Sequence, residues 1–131
     1  MGTHELATCP FCGDLATHNG IVSDTGDFFM RWDRYPVAEG HLLVVPKRHI
    51  QYFSELSFEE TRALGAAIKA AVEIVQAKVG PEAVNIGIND GPAAGQTVPH
   101  LHVHIIPRRA GDVDDPRGGV RGIIPGKAQY R

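Results

Sequence analysis

Three of the chain's seven histidines, His100, His102 and His104, alternate with Leu101 and Val103 in the stretch PHLHVHIIPRR. Period two is a strand pattern, so the imidazoles stand on one face and the aliphatics on the other. A rise of about 3.3–3.4 Å per residue puts neighbours in the row about 7 Å apart and the outer pair about 13 Å apart. Zinc binds imidazole nitrogen at about 2.0–2.1 Å, so two neighbours can share an ion but three cannot easily do so. The plainest reading is a polar row on a solvent-facing strand. A second is a catalytic metal site built from two of them. A third is imidazole as nucleophile: neutral near pH 7, it attacks phosphorus or a carbonyl and leaves again. That chemistry needs a neighbour to fix the tautomer and donors to hold the oxyanion.

The segment before the row favours the nucleophile. Asn89-Asp90-Gly91-Pro92-Ala93-Ala94-Gly95-Gln96-Thr97 is rich in small residues whose backbone N–H groups can approach a ligand closely, the composition of a phosphate cradle. No GxxxxGK[ST] or GxGxxG motif accompanies it. Cys9-Pro10-Phe11-Cys12-Gly13 is a second chemical signal. CPxC resembles a glutaredoxin redox centre, where the first cysteine opens a helix after a strand. Only eight residues precede it here and Gly13 opposes a helix. Cys-Pro-x-Cys-Gly is also a zinc knuckle, whose turn aims both sulfurs at one metal and leaves two ligands to be found elsewhere.

Something must position these groups. At 131 residues and 14.2 kDa the chain suits one domain, 1–131, with a core over 9–109 and a Gly/Pro-rich tail over 110–131. A net charge of −2 gives no reason to expect nucleic acid. No apolar run approaches the roughly 20 residues that span a bilayer, and MGTHELATCPFCG lacks the apolar core of a secretory signal, so a cytoplasmic location is the expectation. Ile21-Val22, a turn at Asp24–Asp27 and Phe28–Asp33 read as a hairpin, followed by the strand HLLVV. HIQYFSEL suggests a short helical turn. Ser57 and Glu60 form a capping box for a long helix whose apolar stripe is Leu64, Ile68, Val72, Val75 and Val79, ended by Gly80-Pro81. A strand near Val84–Asn89 and the histidine strand complete an α+β domain: about five antiparallel strands, one long helix and one short one, with the helices on one face.

HLHVHII fits His-φ-His-φ-His-φ-φ, with φ apolar, and resembles the motif of the histidine triad (HIT) family of nucleotide hydrolases and transferases. NDGPAAGQTVPHLHVHIIPR and WDRYPVAEGHLLVVPKRHI are similar to the family's loop-and-strand segment and its ribose-side strand, so the resemblance covers most of residues 9–109. It implies a HIT-like fold and a homodimer pairing long helices and sheet edges. It implies that His102 attacks the α-phosphorus of a purine nucleotide conjugate and carries a covalent nucleotidyl group. His104 would touch the phosphate and help the leaving group depart, and His41 would support the site. Asn89, Gly95, Gln96 and Thr97 would surround the phosphates, Asp33 would grip ribose hydroxyls, and Phe11 would border the base. Arg31 and Arg34 stand where relatives often carry apolar residues. His49 and His100 would complete a structural zinc site with Cys9 and Cys12. His4 and His18 match no motif position and are expected at the surface.

The implied substrates are dinucleoside polyphosphates or nucleoside phosphoramidates, with DGPAAGQTVPHLHVHIIPRRAGD more like the fragile-histidine-triad branch. Alternatives are a transferase or phosphorylase using phosphate or a sugar phosphate as acceptor, and a nucleotide-binding sensor module without turnover.

Overall fold

A computed structural model describes residues 8–130. Five strands form one antiparallel sheet: β1 (Ile21–Asp24), β2 (Phe28–Trp32), β3 (Leu42–Pro46), β4 (Ala83–Gly87) and β5 (Val103–Arg108), ordered β1-β2-β3-β5-β4. The described residues also hold helices α1 (Pro10–Thr17) and α2 (Phe58–Val79), with 3-10 turns at Phe53–Glu55, Pro92–Ala94 and Gly119–Ile123. His4 lies outside the described residues. Among the described residues no helix is long and apolar enough to cross a membrane.

The capping box forms as the spacing requires. Glu60 N–H donates to Ser57 Oγ at 3.1 Å, and Ser57 N–H donates to Glu60 Oε1 at 2.7 Å. Gly80 ends α2 in the left-handed conformation, φ 57°. The buried stripe differs from the expected one: Leu64, Ala67, Ala71 and Val75 face the sheet, while Ile68, Val72 and Val79 flank it. Alanines let the helix axis approach the strands closely, and the bulkier residues fill the sides of the contact. Under α2 lie Phe28, Met30, Leu42, Val44, Val103 and Ile105.

The short helical turn expected in HIQYFSEL forms as the 3-10 turn at Phe53–Glu55. The sequence does not mark the short α-helix α1, Pro10–Thr17. Pro10 occupies its first turn with φ preset, and Cys12 N–H donates to Sγ of the N-cap Cys9 at 3.4 Å. Gly13 costs such a helix about 1 kcal/mol, which burial of Phe11 offsets. Nor do both helices share a face. Phe11 and Cys9 pack with Phe29, Leu43 and Val45, the alternate residues of β2 and β3, on the side opposite α2. Both faces of those strands are therefore covered, which is why FFM and LLVV read as continuous apolar runs.

β5 begins only at Val103, so His100 and His102 lie on the approach to the strand rather than in it. The approach is held by other bonds: His100 N–H donates to the Val98 carbonyl at 2.8 Å and Leu101 N–H to the Ile50 carbonyl at 2.7 Å. His104 pairs with Leu43 on one side and Gly87 on the other, and so points away from α2. His18 is exposed and ends α1 with φ 56°. The tail after β5 returns to β4 through the turn Gly119–Ile123, and its start is held to the end of β5 by Arg108 Nε and Asp112 Oδ2 at 2.7 Å.

Candidate active site and metal corner

Cys9, Cys12, His49 and His100 bring one donor atom each within 4.8 Å of one another. Cys12 Sγ lies 3.1 Å from His49 Nδ1 and 3.6 Å from His100 Nδ1, Cys9 Sγ lies 3.3 Å from His100 Nδ1, and the two Nδ1 atoms are 3.1 Å apart. A tetrahedral ion with bonds of about 2.0–2.3 Å sets its ligands about 3.3–3.8 Å apart, so the cage is close to the size such an ion needs. The donor chemistry agrees. His100 Nε2 lies 2.8 Å from the Pro46 carbonyl, which fixes the proton there and leaves the Nδ1 lone pair facing the cage. Burial pushes the Cys12 thiol up to about 12, with the adjacent Cys9 adding to the shift. A cation is what turns such buried thiols into thiolates. The four residues could hold a metal.

His102 is 8% exposed and its Nδ1 lies 2.9 Å from the His100 carbonyl. A carbonyl only accepts, so the proton is on Nδ1 and Nε2 carries a free lone pair. Phe11 packs beside it, ring centroids 5.1 Å apart.

His41 shows the opposite arrangement. Val37 N–H donates to His41 Nδ1 at 3.2 Å, so the His41 proton is on Nε2. That nitrogen lies 2.9 Å from His104 Nδ1 and 3.4 Å from Asp33 Oδ2. His104 Nδ1 then accepts, and its own proton is on Nε2. Burial is the main cause that holds His104 down to about 4, with His102 and His41 adding to it and Asp33 opposing; His41 is lowered too, again chiefly by burial. Both rings are neutral at pH 7. Asp33, His41 and His104 also lie within reach of a common ion. The Val37 N–H directs His41 Nε2 to donate instead, so these three form a hydrogen-bonded chain.

One cavity of about 450 Å³ is lined by Phe11, Asp33, His41, Asn89, Gly95, Thr97, His102 and His104, nearly the whole set expected from sequence. Gly95 takes φ 100°, which a side chain would strain, and this turns the loop under the histidines. Gln96 is the exception. Its Oε1 accepts from Gly91 N–H at 2.9 Å and its Nε2 donates to the Gln51 carbonyl at 3.2 Å, so its buried amide braces the loop from within and lines neither cavity. A second cavity of about 650 Å³ shares Val37, His41, Asn89 and His104, and extends along Ile86, Ile106 and Val120. His104 thus stands between two compartments. Sequence reading missed Asp14, a buried carboxylate in α1 whose Oδ2 lies 2.6 Å from Arg31 Nη1 and whose Oδ1 accepts from Arg34. No spacing marks it, because its partners come from β2 and the loop after it.

A HIT domain model matches residues 16–111. Bis(5'-nucleosyl)-tetraphosphatase [asymmetrical] of Schizosaccharomyces pombe is 40% identical over 80 residues, 61% of this chain and 44% of that protein. AP-4-A phosphorylase of Mycobacterium tuberculosis is 37% identical over 102 residues, 76% of this chain and 52% of that one. The chain thus spans about half the length of these curated relatives. Among solved structures, a Zn-bound histidine triad family protein from Mycobacterium smegmatis superposes with TM-score 0.73 at 31% identity, covering 82% of this chain and 79% of that one.

Proposed function

The chain belongs to the HIT domain family, and on that premise we propose that it hydrolyses or transfers nucleotidyl groups at the α-phosphate of dinucleoside polyphosphates, with zinc in the Cys9–Cys12–His49–His100 corner. The observation that carries the reading is His102: its Nδ1 proton is committed to the His100 carbonyl, its Nε2 is free, and it lines a cavity with Asn89, Gly95 and Thr97. Nε2 attacks the α-phosphorus, a P–N bond forms, and the P–O bond to the rest of the polyphosphate breaks. Water or inorganic phosphate then attacks the nucleotidyl-histidine, the P–N bond breaks, and His102 regains its lone pair. Asp33 faces the ribose hydroxyls, and the loop N–H groups face the non-bridging oxygens.

Leaving-group chemistry supports polyphosphates over phosphoramidates. His104 is neutral in the free site, so its Nε2–H donates a hydrogen bond rather than a full proton. A phosphate chain departs readily as an anion, whereas an amine must be protonated as it leaves. The two compartments meeting at His104 suit a substrate extended on both sides of the scissile bond. A phosphoramidate remains the second substrate class, reached when bound phosphate charge raises the proton affinity of His104.

Cys9, Cys12, His49 and His100 would hold zinc, which would tie the start of α1 to the segment before β5, whose His100 carbonyl orients His102. We also propose a homodimer, for which β4, an edge strand of the sheet, offers unpaired backbone groups.

The test is rapid quench with labelled diadenosine tetraphosphate. It should trap an acid-labile, base-stable nucleotidyl group on the native chain and none on His102→Ala. Product analysis with and without added phosphate separates hydrolysis from phosphorolysis. Tight nucleotide binding with no turnover on any polyphosphate or phosphoramidate would instead favour a sensor.

A further inference from the structure

We propose that Arg34 selects the nucleobase, taking guanine over adenine; this rests on the reading that the cavity beside His102 binds a nucleotide. Asp14 is 3% exposed and faces two guanidinium groups, Arg31 Nη1 on its Oδ2 and Arg34 Nη2 on its Oδ1. One carboxylate against two arginines leaves one positive charge in excess. Arg31 is enclosed, with its Nε–H donated to the Trp32 carbonyl at 2.9 Å. Arg34 is the open one: its side chain is 37% exposed and lines the smaller cavity beside Pro10, Phe11 and Tyr35. Among the described residues Asp14 is its only hydrogen-bond partner, and none of them takes its Nε–H or Nη1–H.

The neighbouring Asp33 faces His41 and His104, which places the phosphate and ribose at that end of the cavity. A base attached there reaches the wall formed by Pro10, Arg34 and Tyr35. A guanidinium has donors and no acceptor. Guanine offers it two acceptors, O6 and N7, whereas adenine offers N7 beside an amino group that is itself a donor. The buried carboxylate holds the arginine in place before the base arrives, so little side-chain freedom is lost on binding. An apolar residue at this position would not distinguish the two edges.

Calorimetric titration with GMP and AMP tests this without any turnover. The native chain should bind GMP about tenfold more tightly than AMP. Arg34→Leu should lose that preference through weaker GMP binding, while AMP binding changes by less than about twofold. Arg34→Lys, which keeps a cation for Asp14, should fold normally and retain only part of the preference. Equal affinities in the native chain, or a preference that survives both substitutions, overturn the proposal and leave the nucleotide reading standing. Failure of the native chain to bind either nucleotide overturns both.

Discussion

Two clusters of imidazoles lie close together on this fold and do opposite things with the same ring. In the metal corner, His49 and His100 direct Nδ1 atoms at each other 3.1 Å apart, beside two sulfurs. In the active-site corner, His41 Nε2 and His104 Nδ1 are 2.9 Å apart with a carboxylate beside them. The separations are nearly equal, so distance does not distinguish them. The backbone does. A carbonyl on the far nitrogen, Pro46 O for His100 and His100 O for His102, leaves a lone pair on the near one, suited to a metal or to phosphorus. A backbone N–H on the far nitrogen, Val37 for His41, puts a proton on the near one and makes it a donor. For His100, His102 and His41 the peptide group behind the ring sets what it can do, and His104 takes its role in turn from His41.

Four substitutions separate the two corners. The largest effect belongs to His102→Ala, which should lower turnover at least about 10³-fold, about 4 kcal/mol of barrier. Metal content and melting temperature should stay near native, because the ring is not in the cage. Near-native turnover, or rescue by divalent cations, would mean that the lone pair on this ring is not the nucleophile.

Cys9→Ser should strip the metal corner. Elemental analysis should fall from about one zinc per chain to near none, and stability should drop by about 3 kcal/mol, about 10 °C in Tm. The sheet and α2 bury a core of their own, so folding should survive. A native chain free of zinc yet fully stable would remove the metal from this corner.

His41→Ala removes the donor to His104 and should cost about 1–3 kcal/mol, or about 5–160-fold in turnover, with zinc content unchanged. If added divalent cation restored the rate, the Asp33–His41–His104 cluster would be a metal site and the contrast would collapse.

The smallest effect is on stability against pH. His104 is held at about 4 in the folded chain, below the 6.5 of an ordinary imidazole, chiefly by burial. Between those values the unfolded chain binds the extra proton, so stability falls as pH drops through the window and levels off below it. His104→Gln should flatten that fall in urea melts, and an unchanged slope would assign it to other groups.

Much of this was legible in the residues. The capping box Ser57–Glu60, the Asp24–Asp27 turn and the run LLVVP are local signals, and local backbone preference and burial act on them in the same direction. The histidine row was legible as chemistry because alternation among so few histidines is a dense signal. Helix α1 was not, since Gly13 argues against it and only the covered face of β2 and β3 supplies the burial that outweighs Gly13. The place of Gln96 in the loop suggests a phosphate ligand, but its amide is held by Gly91 N–H and the Gln51 carbonyl.

By itself, the sequence determined the α+β class, the long helix and its cap, and which residues carry donors and lone pairs. Tertiary structure decided which nitrogen holds the proton on His100 and on His104, because the Pro46 carbonyl and the His41 ring are brought to them by folding. Pro46 lies 54 residues from His100, and Asp14 lies 20 from Arg34. Hydrogen bonds of this kind depend on atomic separations of a few ångströms that no local pattern of residues encodes.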